Sequence, residues 1–162
     1  HWHHQWVRPG LMLYGACPWL ETTAPDMGLK PVMQLESTVI AVNRVSKGAA
    51  VGYGATWTAP EDSLVAVVSI GYGDGYPRHL SAAAKVMING QRCSVVGRVS
   101  MDMITVDVTH QVGVVPGTKV VLWGEGLPVE EIAAWAGTVN YELLCQVTPR
   151  VKRIYHTGAE SR

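Results

Sequence analysis

Charge is scarce in this chain and favours neither sign: 16% of residues are charged, with thirteen acidic against thirteen basic. At zero net charge and with its basic residues scattered, the chain gives no reason to expect attraction to nucleic acid or to an anionic membrane. No apolar run is long enough to cross a bilayer, and the start lacks the pattern of a secretory signal. Cysteine is sparse too. Cys17, Cys93 and Cys145 are odd in number, widely spaced and without a C-x-x-C pair, which predicts buried thiols in a reducing compartment and argues against a zinc site. The start His1-Trp2-His3-His4 has no further ligand nearby. A tag remnant or an exposed former connection is favoured there over a metal-binding end. Hydrolytic signatures are missing as well: there is no G-x-S-x-G, no H-E-x-x-H, no Walker loop and no evident pair of carboxylates.

What is present is apolar. At 48% apolar over 162 residues, the chain can form one ordinary domain with a core. Residues 6–15 form a dense apolar stretch with Arg8, Pro9 and Gly10 set inside it. It needs a surface to bury against, so residues 1–16 are expected to be the tail of something upstream. Residues 17–31, with three prolines, read as a linker. From there to residue 157 the pattern is β. Strands are expected over 32–45, 64–70, 85–88, 92–96, 103–108, 118–122 and 150–155, with Asn89-Gly90 as a hairpin turn. Pro128, two early glutamates and Gly137 mark a helix; a shorter one starts near Asn140, an N-cap type. The fold class is mainly β: a compact barrel or sandwich with one or two short helices.

Two glycine-bracketed tyrosines follow successive strands: Tyr53 in Gly52-Tyr53-Gly54 and Tyr72 in Gly71-Tyr72-Gly73-Asp74-Gly75-Tyr76-Pro77-Arg78. A single such tyrosine reads as a ring packed under a tight turn; a pair suggests parts of one site, because glycine leaves the backbone free to present the phenol. Near Gly10 and Leu11, bare N–H groups suit a phosphate, and Arg8 can reach an acceptor on a bound ring; a turn or a salt bridge is the alternative. Arg98, Met101 and Asp102 join two strands. The arginine suits a carboxylate, while Met101 also reads as core filler and Asp74 and Asp102 as turn formers.

These residues carry a resemblance. Arg8-Pro9-Gly10, Leu13-Tyr14-Gly15, Leu29 to Met33, Val51 to Thr56, Gly71 to Arg78, Val96 to Asp102, Leu122 to Pro128 and Asn140 to Leu143 resemble the pyridoxal-phosphate-dependent alanine racemases, in order and over almost the entire chain. The resemblance is to the end of that family's N-terminal α/β barrel (residues 1–16 here), followed by its C-terminal β-domain.

The resemblance implies a cytoplasmic, homodimeric isomerase that interconverts L- and D-alanine using pyridoxal 5'-phosphate. It makes Tyr53 one of two bases on opposite faces of the substrate α-carbon, the other being the lysine that forms the Schiff base. It gives the pyridine nitrogen to Arg8, a donor that scarcely yields its proton and so keeps the ring a poorer electron sink. It assigns the phosphate to Gly10, Leu11 and Tyr141, the substrate carboxylate to the backbone N–H of Met101, and the substrate passage to Tyr72, Arg78 and Arg98. The cofactor lysine belongs to a motif absent from this chain, so the chain alone is expected to be inactive. Two alternatives remain. One is a domain of a barrel-type pyridoxal decarboxylase, against which Arg8 argues because such enzymes place an acid at the ring nitrogen. The other is a free-standing β-domain for assembly or binding.

Overall fold

Val, Ile and Thr crowd the run Leu35–Val45, and it forms β1, an eleven-residue strand. The structure is a computed structural model that describes residues 5–19 and 22–156; the histidine-rich start lies outside the described residues. After β1 come the short strands β2 (Ala50–Val51) and β3 (Trp57–Thr58), which pair only with each other as a ribbon. Then follow β4 (Ser63–Val68), β5 (Lys85–Ile88), β6 (Gln91–Val96), β7 (Ile104–Asp107) and β8 (Lys119–Trp123). Two α-helices, α1 (Val129–Ala136) and α2 (Asn140–Gln146), follow the last strand.

The six longer strands close into an antiparallel barrel in the order β1-β4-β7-β6-β5-β8. Closure depends on the length of β1. Its first four residues pair with β8, its later ones with β4, and the register shifts between Val39 and Ala41. A bulge there bends one strand so that it serves two neighbours, and the sheet is left without an open edge. Of the barrel and sandwich foreseen from the sequence, the barrel is what forms.

Local signals act as their chemistry requires. Asn89 and Gly90 both take positive φ, 50° and 75°, in the β5–β6 turn, the pair of angles this two-residue hairpin needs. Gly137 stops α1 at φ 67° and donates its N–H back to the last turn. The helix buries Val129, Ile132 and Ala133 against a core in which Ala66, Val68, Val86, Ile88, Val106, Val120 and Leu122 are fully enclosed. Tyr76 stacks on Trp123 there, with ring centroids 6.3 Å apart.

Three expectations are corrected. Residues 150–155 form no strand: the β1–β8 pairing has already closed the barrel, so no edge remains for another strand. Asn140 is not a cap but the first helical residue, with Val139 before it; its amide is turned instead to the Cys17 carbonyl at 2.7 Å. Cys17 and Cys93 are buried free thiols, whereas Cys145 is exposed, because it lies on a side of α2 that nothing described covers. No helix among the described residues is long and apolar enough to cross a membrane.

Candidate active site

Tyr53 stands at the tip of the β2–β3 ribbon, 76% exposed. It is therefore not a ring packed under a turn. Gly52 and Gly54 hold the turn at φ 78° and 75°, and their missing side chains let it sit against the loop after β6. A Cβ on Gly52 would stand 3.3 Å from the Arg98 nitrogen, and one on Gly54 would stand 3.3 Å from the Arg98 guanidinium carbon. Gly97 reciprocates, since a Cβ there would lie 3.1 Å from the Val51 carbonyl oxygen. The two loops interlock backbone to backbone, and the phenol is left facing outward. Tyr53 and Arg98 are thus brought together.

The second tyrosine loop seats on the next turn of the same β6–β7 connection. Tyr72 and Gly73 donate their N–H groups to the carbonyls of Ser100 and Met101, at 3.0 and 2.8 Å. Ser100 closes the turn on Met103, accepting the Met103 N–H at 3.0 Å. This leaves Met101 with its carbonyl engaged and its N–H donating to nothing among the described residues. The Met101 side chain is 51% exposed, so it fills no core. Arg78 lies over the Tyr72 ring, 5.9 Å from its centroid, a cation–π placement. Asp74 accepts the Gly71 N–H at 2.9 Å, the local turn role foreseen for it. Both Asp74 and Asp102 also meet Arg150, at 3.3 and 2.5 Å, a long-range contact that the sequence did not disclose.

The N-terminal residues are tied to both helices. Gly10–Tyr14 form a 3-10 turn whose Leu11 is buried, with Arg8 and Gly10 exposed. The segment is fastened where Cys17 donates its N–H to Glu130 at 2.6 Å and accepts from Asn140. Asn140 immediately precedes Tyr141, whose ring is 47% exposed. Gly10, Leu11 and Tyr141 are therefore carried by two segments joined through Cys17. Gly10 takes φ 58°, with nothing within 4 Å of where a Cβ would stand, so a ligand can approach its backbone. Arg8, Gly10 and Leu11 are thus linked to Tyr141 through Cys17 and Asn140, while the Tyr53 and Tyr72 loops both sit against the β6–β7 connection that carries Arg98 and Met101.

Neither group lines the cavity beside the N-terminal segment. A cavity of about 660 Å³ runs between residues 14–33 and the β8–α1 junction, lined by Met33, Trp123 and Pro128 among others, and none of the nine candidate residues lines it. Apart from the buried Leu11, the candidates stand on open surface.

The fold and these loops define a class: a closed six-stranded β-barrel domain displaying exposed phenols and guanidinium groups. More narrowly, the chain belongs to the alanine racemase C-terminal domain family, whose sequence model matches residues 32–155. Curated relatives agree. The chain is 53% identical over 151 residues to an alanine racemase of Nitrosococcus oceani, covering 93% of this chain but 42% of that protein. Against one from Piscirickettsia salmonis it is 47% identical, covering 94% of this chain and 92% of the relative. Among solved structures, the biosynthetic alanine racemase of Pseudomonas aeruginosa superposes with a TM-score of 0.91 at 47% identity, over 94% of this chain and 42% of that one. The Acinetobacter baumannii alanine racemase gives 0.86 at 51% identity, over 89% and 40%. The chain thus spans less than half the length of most of these relatives.

Proposed function

We propose that this domain supplies one half of a racemase active site, with Tyr53 moving a proton at one face of the α-carbon of alanine and a residue outside the chain serving the other face. What carries this is the outward-facing Tyr53 phenol, held on the interlocked Gly52–Gly54 and Gly97–Arg98 loops. A group that must act on a substrate held elsewhere has to stand proud of its own fold, yet on a support that does not yield.

The other residues suit the remaining tasks. The Met101 N–H donates to nothing within the described chain, and as a fixed donor it suits a substrate carboxylate. Tyr72, Arg78 and Arg98 form a polar surround that admits a small amino acid. The residues present also fit pyridoxal phosphate. Open space at Gly10 and the exposed Tyr141 suit its phosphate, together with the backbone of Leu11, and the exposed Arg8 suits its ring nitrogen. When bound, that cofactor supplies the electron sink that makes the α-proton removable. Arg8 keeps its own proton and so limits how far that sink draws charge away from the α-carbon, which favours return of the proton over side reactions.

Homodimerisation and a cytoplasmic setting belong to the same proposal, as does inactivity of the isolated chain. The family match favours the racemase over a decarboxylase or a binding module. The test is to add pyridoxal phosphate and alanine to the isolated chain, and then to the chain joined to the barrel part of the Pseudomonas aeruginosa enzyme. No imine absorbance band or racemisation in the first case and turnover in the second are expected; turnover by the isolated chain would overturn the proposal.

A further inference from the structure

The β-domain contains a clasp that none of the roles above uses. Arg150 lies in the coil after α2 and reaches two carboxylates on different loops. Its Nε is 3.3 Å from Asp74 Oδ1 in the Tyr72 loop, and its Nη2 is 2.5 Å from Asp102 Oδ1 beside Met101. The same guanidinium fills the space over Gly73, where a Cβ would stand 2.3 Å from Nη1. The coil that carries it is itself tied to the Tyr72 loop. Thr148 donates its N–H to the Asp74 carbonyl and its hydroxyl to the Gly73 carbonyl, both at 3.0 Å. Three segments distant in sequence therefore meet on one side chain, whose planar fork of donors faces both carboxylates at once.

We propose that Arg150 is a positioning residue: by holding Asp74 and Asp102 together it fixes the Tyr72 ring relative to the Met101 N–H, and so sets how well a substrate carboxylate is received. The inference rests on the assignment of Met101 and Tyr72 to the substrate. Arg150 touches neither substrate nor reacting atoms, so its loss acts on binding rather than on the proton transfer. The clasp is half-exposed, and its effect is correspondingly moderate.

The experiment uses Arg150→Met and Arg150→Lys with two readouts. Amide hydrogen exchange on the 162-residue chain should show the Tyr72 and Gly73 amides exchanging about fivefold faster in Arg150→Met, while the barrel amide of Val106 is unchanged. In the chain joined to the Pseudomonas aeruginosa barrel part, KM for alanine should rise about fivefold with kcat within about twofold. Arg150→Lys should fall between, because an ammonium keeps the charge but lacks the fixed planar fork of donors that meets both carboxylates. Unchanged Tyr72 and Gly73 exchange would overturn the clasp. Faster exchange with an unchanged KM, or with Val106 accelerated equally, would reduce Arg150 to a structural residue and overturn the positioning role. An unmutated joined enzyme without racemase activity would overturn the functional assignment itself, and the positioning role with it, while the exchange data alone would still report whether the loops are clasped.

Discussion

The barrel wall and the loops above it are built on opposite terms. In the wall, Val86, Val106, Val120 and Leu122 are fully enclosed, every strand has two partners, and no edge is left over. In the loops, Tyr53, Tyr72 and Met101 are between 43% and 76% exposed and are held by hydrogen bonds, glycine contacts and ion pairs. The wall draws its stability from burial, at roughly 25 cal/mol per Å² of apolar surface. The loops bury little and instead fix geometry. Wall and loop substitutions should therefore separate cleanly, the first changing stability and the second changing what the surface can do.

The largest effect should come from the wall. Leu122→Ala removes a fully buried side chain and should cost about 3 kcal/mol in urea denaturation, with Tyr53 remaining exposed by fluorescence quenching in the fraction still folded. A loss under about 1 kcal/mol would mean that the wall collapses around the gap. Next is Gly15→Ala, where a Cβ would land 1.7 Å from the Lys30 carbonyl oxygen at a backbone φ of 72°. Because the obstacle is backbone, the loss should be about 2 kcal/mol, read by thermal denaturation as a lowered Tm.

Tyr76 breaks the pattern, because it lies on the Tyr72 loop yet is buried in the core. Its hydroxyl is buried and without a hydrogen-bond partner among the described residues, and burial pushes its ionisation far above the ordinary tyrosine value of 10. In the unfolded chain this phenol ionises near pH 10, whereas the folded protein holds it protonated. Its contribution is therefore complete below pH 10 and is lost as pH rises beyond it. Tyr76→Phe should flatten this alkaline decline and, by deleting an unpaired polar group, raise stability by about 1 kcal/mol at neutral pH. A destabilised variant with the decline intact would show that the hydroxyl is satisfied. The smallest effect belongs to the loops: Tyr53→Phe should leave stability within about 0.5 kcal/mol in urea denaturation.

The same division governs how much could be read beforehand. The Asn89-Gly90 turn, α1 with its Gly137 stop and the alternation of β7 were legible because each is decided within a few neighbouring residues. Barrel and sandwich were indistinguishable because closure turns on a bulge in β1 and its sharing between β4 and β8, which no local pattern announces. Residues 150–155 have strand composition, yet find no edge to join. Asn140 has the chemistry of a cap, but Cys17, 123 residues away, claims its amide. At the candidate site, the glycines around Tyr53 and Tyr72 marked the loops. The contacts that arrange them did not show: Arg150 meets Asp102 across 48 residues, and the fit of Gly54 over Arg98 exists only after folding.

The central claim is that the Tyr53 hydroxyl handles a proton although its own domain supplies only part of the site. The most direct measurement is exchange of the alanine α-proton in deuterated water, followed from each enantiomer, by the chain joined to the Pseudomonas aeruginosa barrel part, with Tyr53 intact and as Tyr53→Phe. A loss of roughly 10²–10⁴-fold, with one enantiomer affected far more than the other and the fold unchanged, is the expected result. Equal exchange by the two proteins would contradict it.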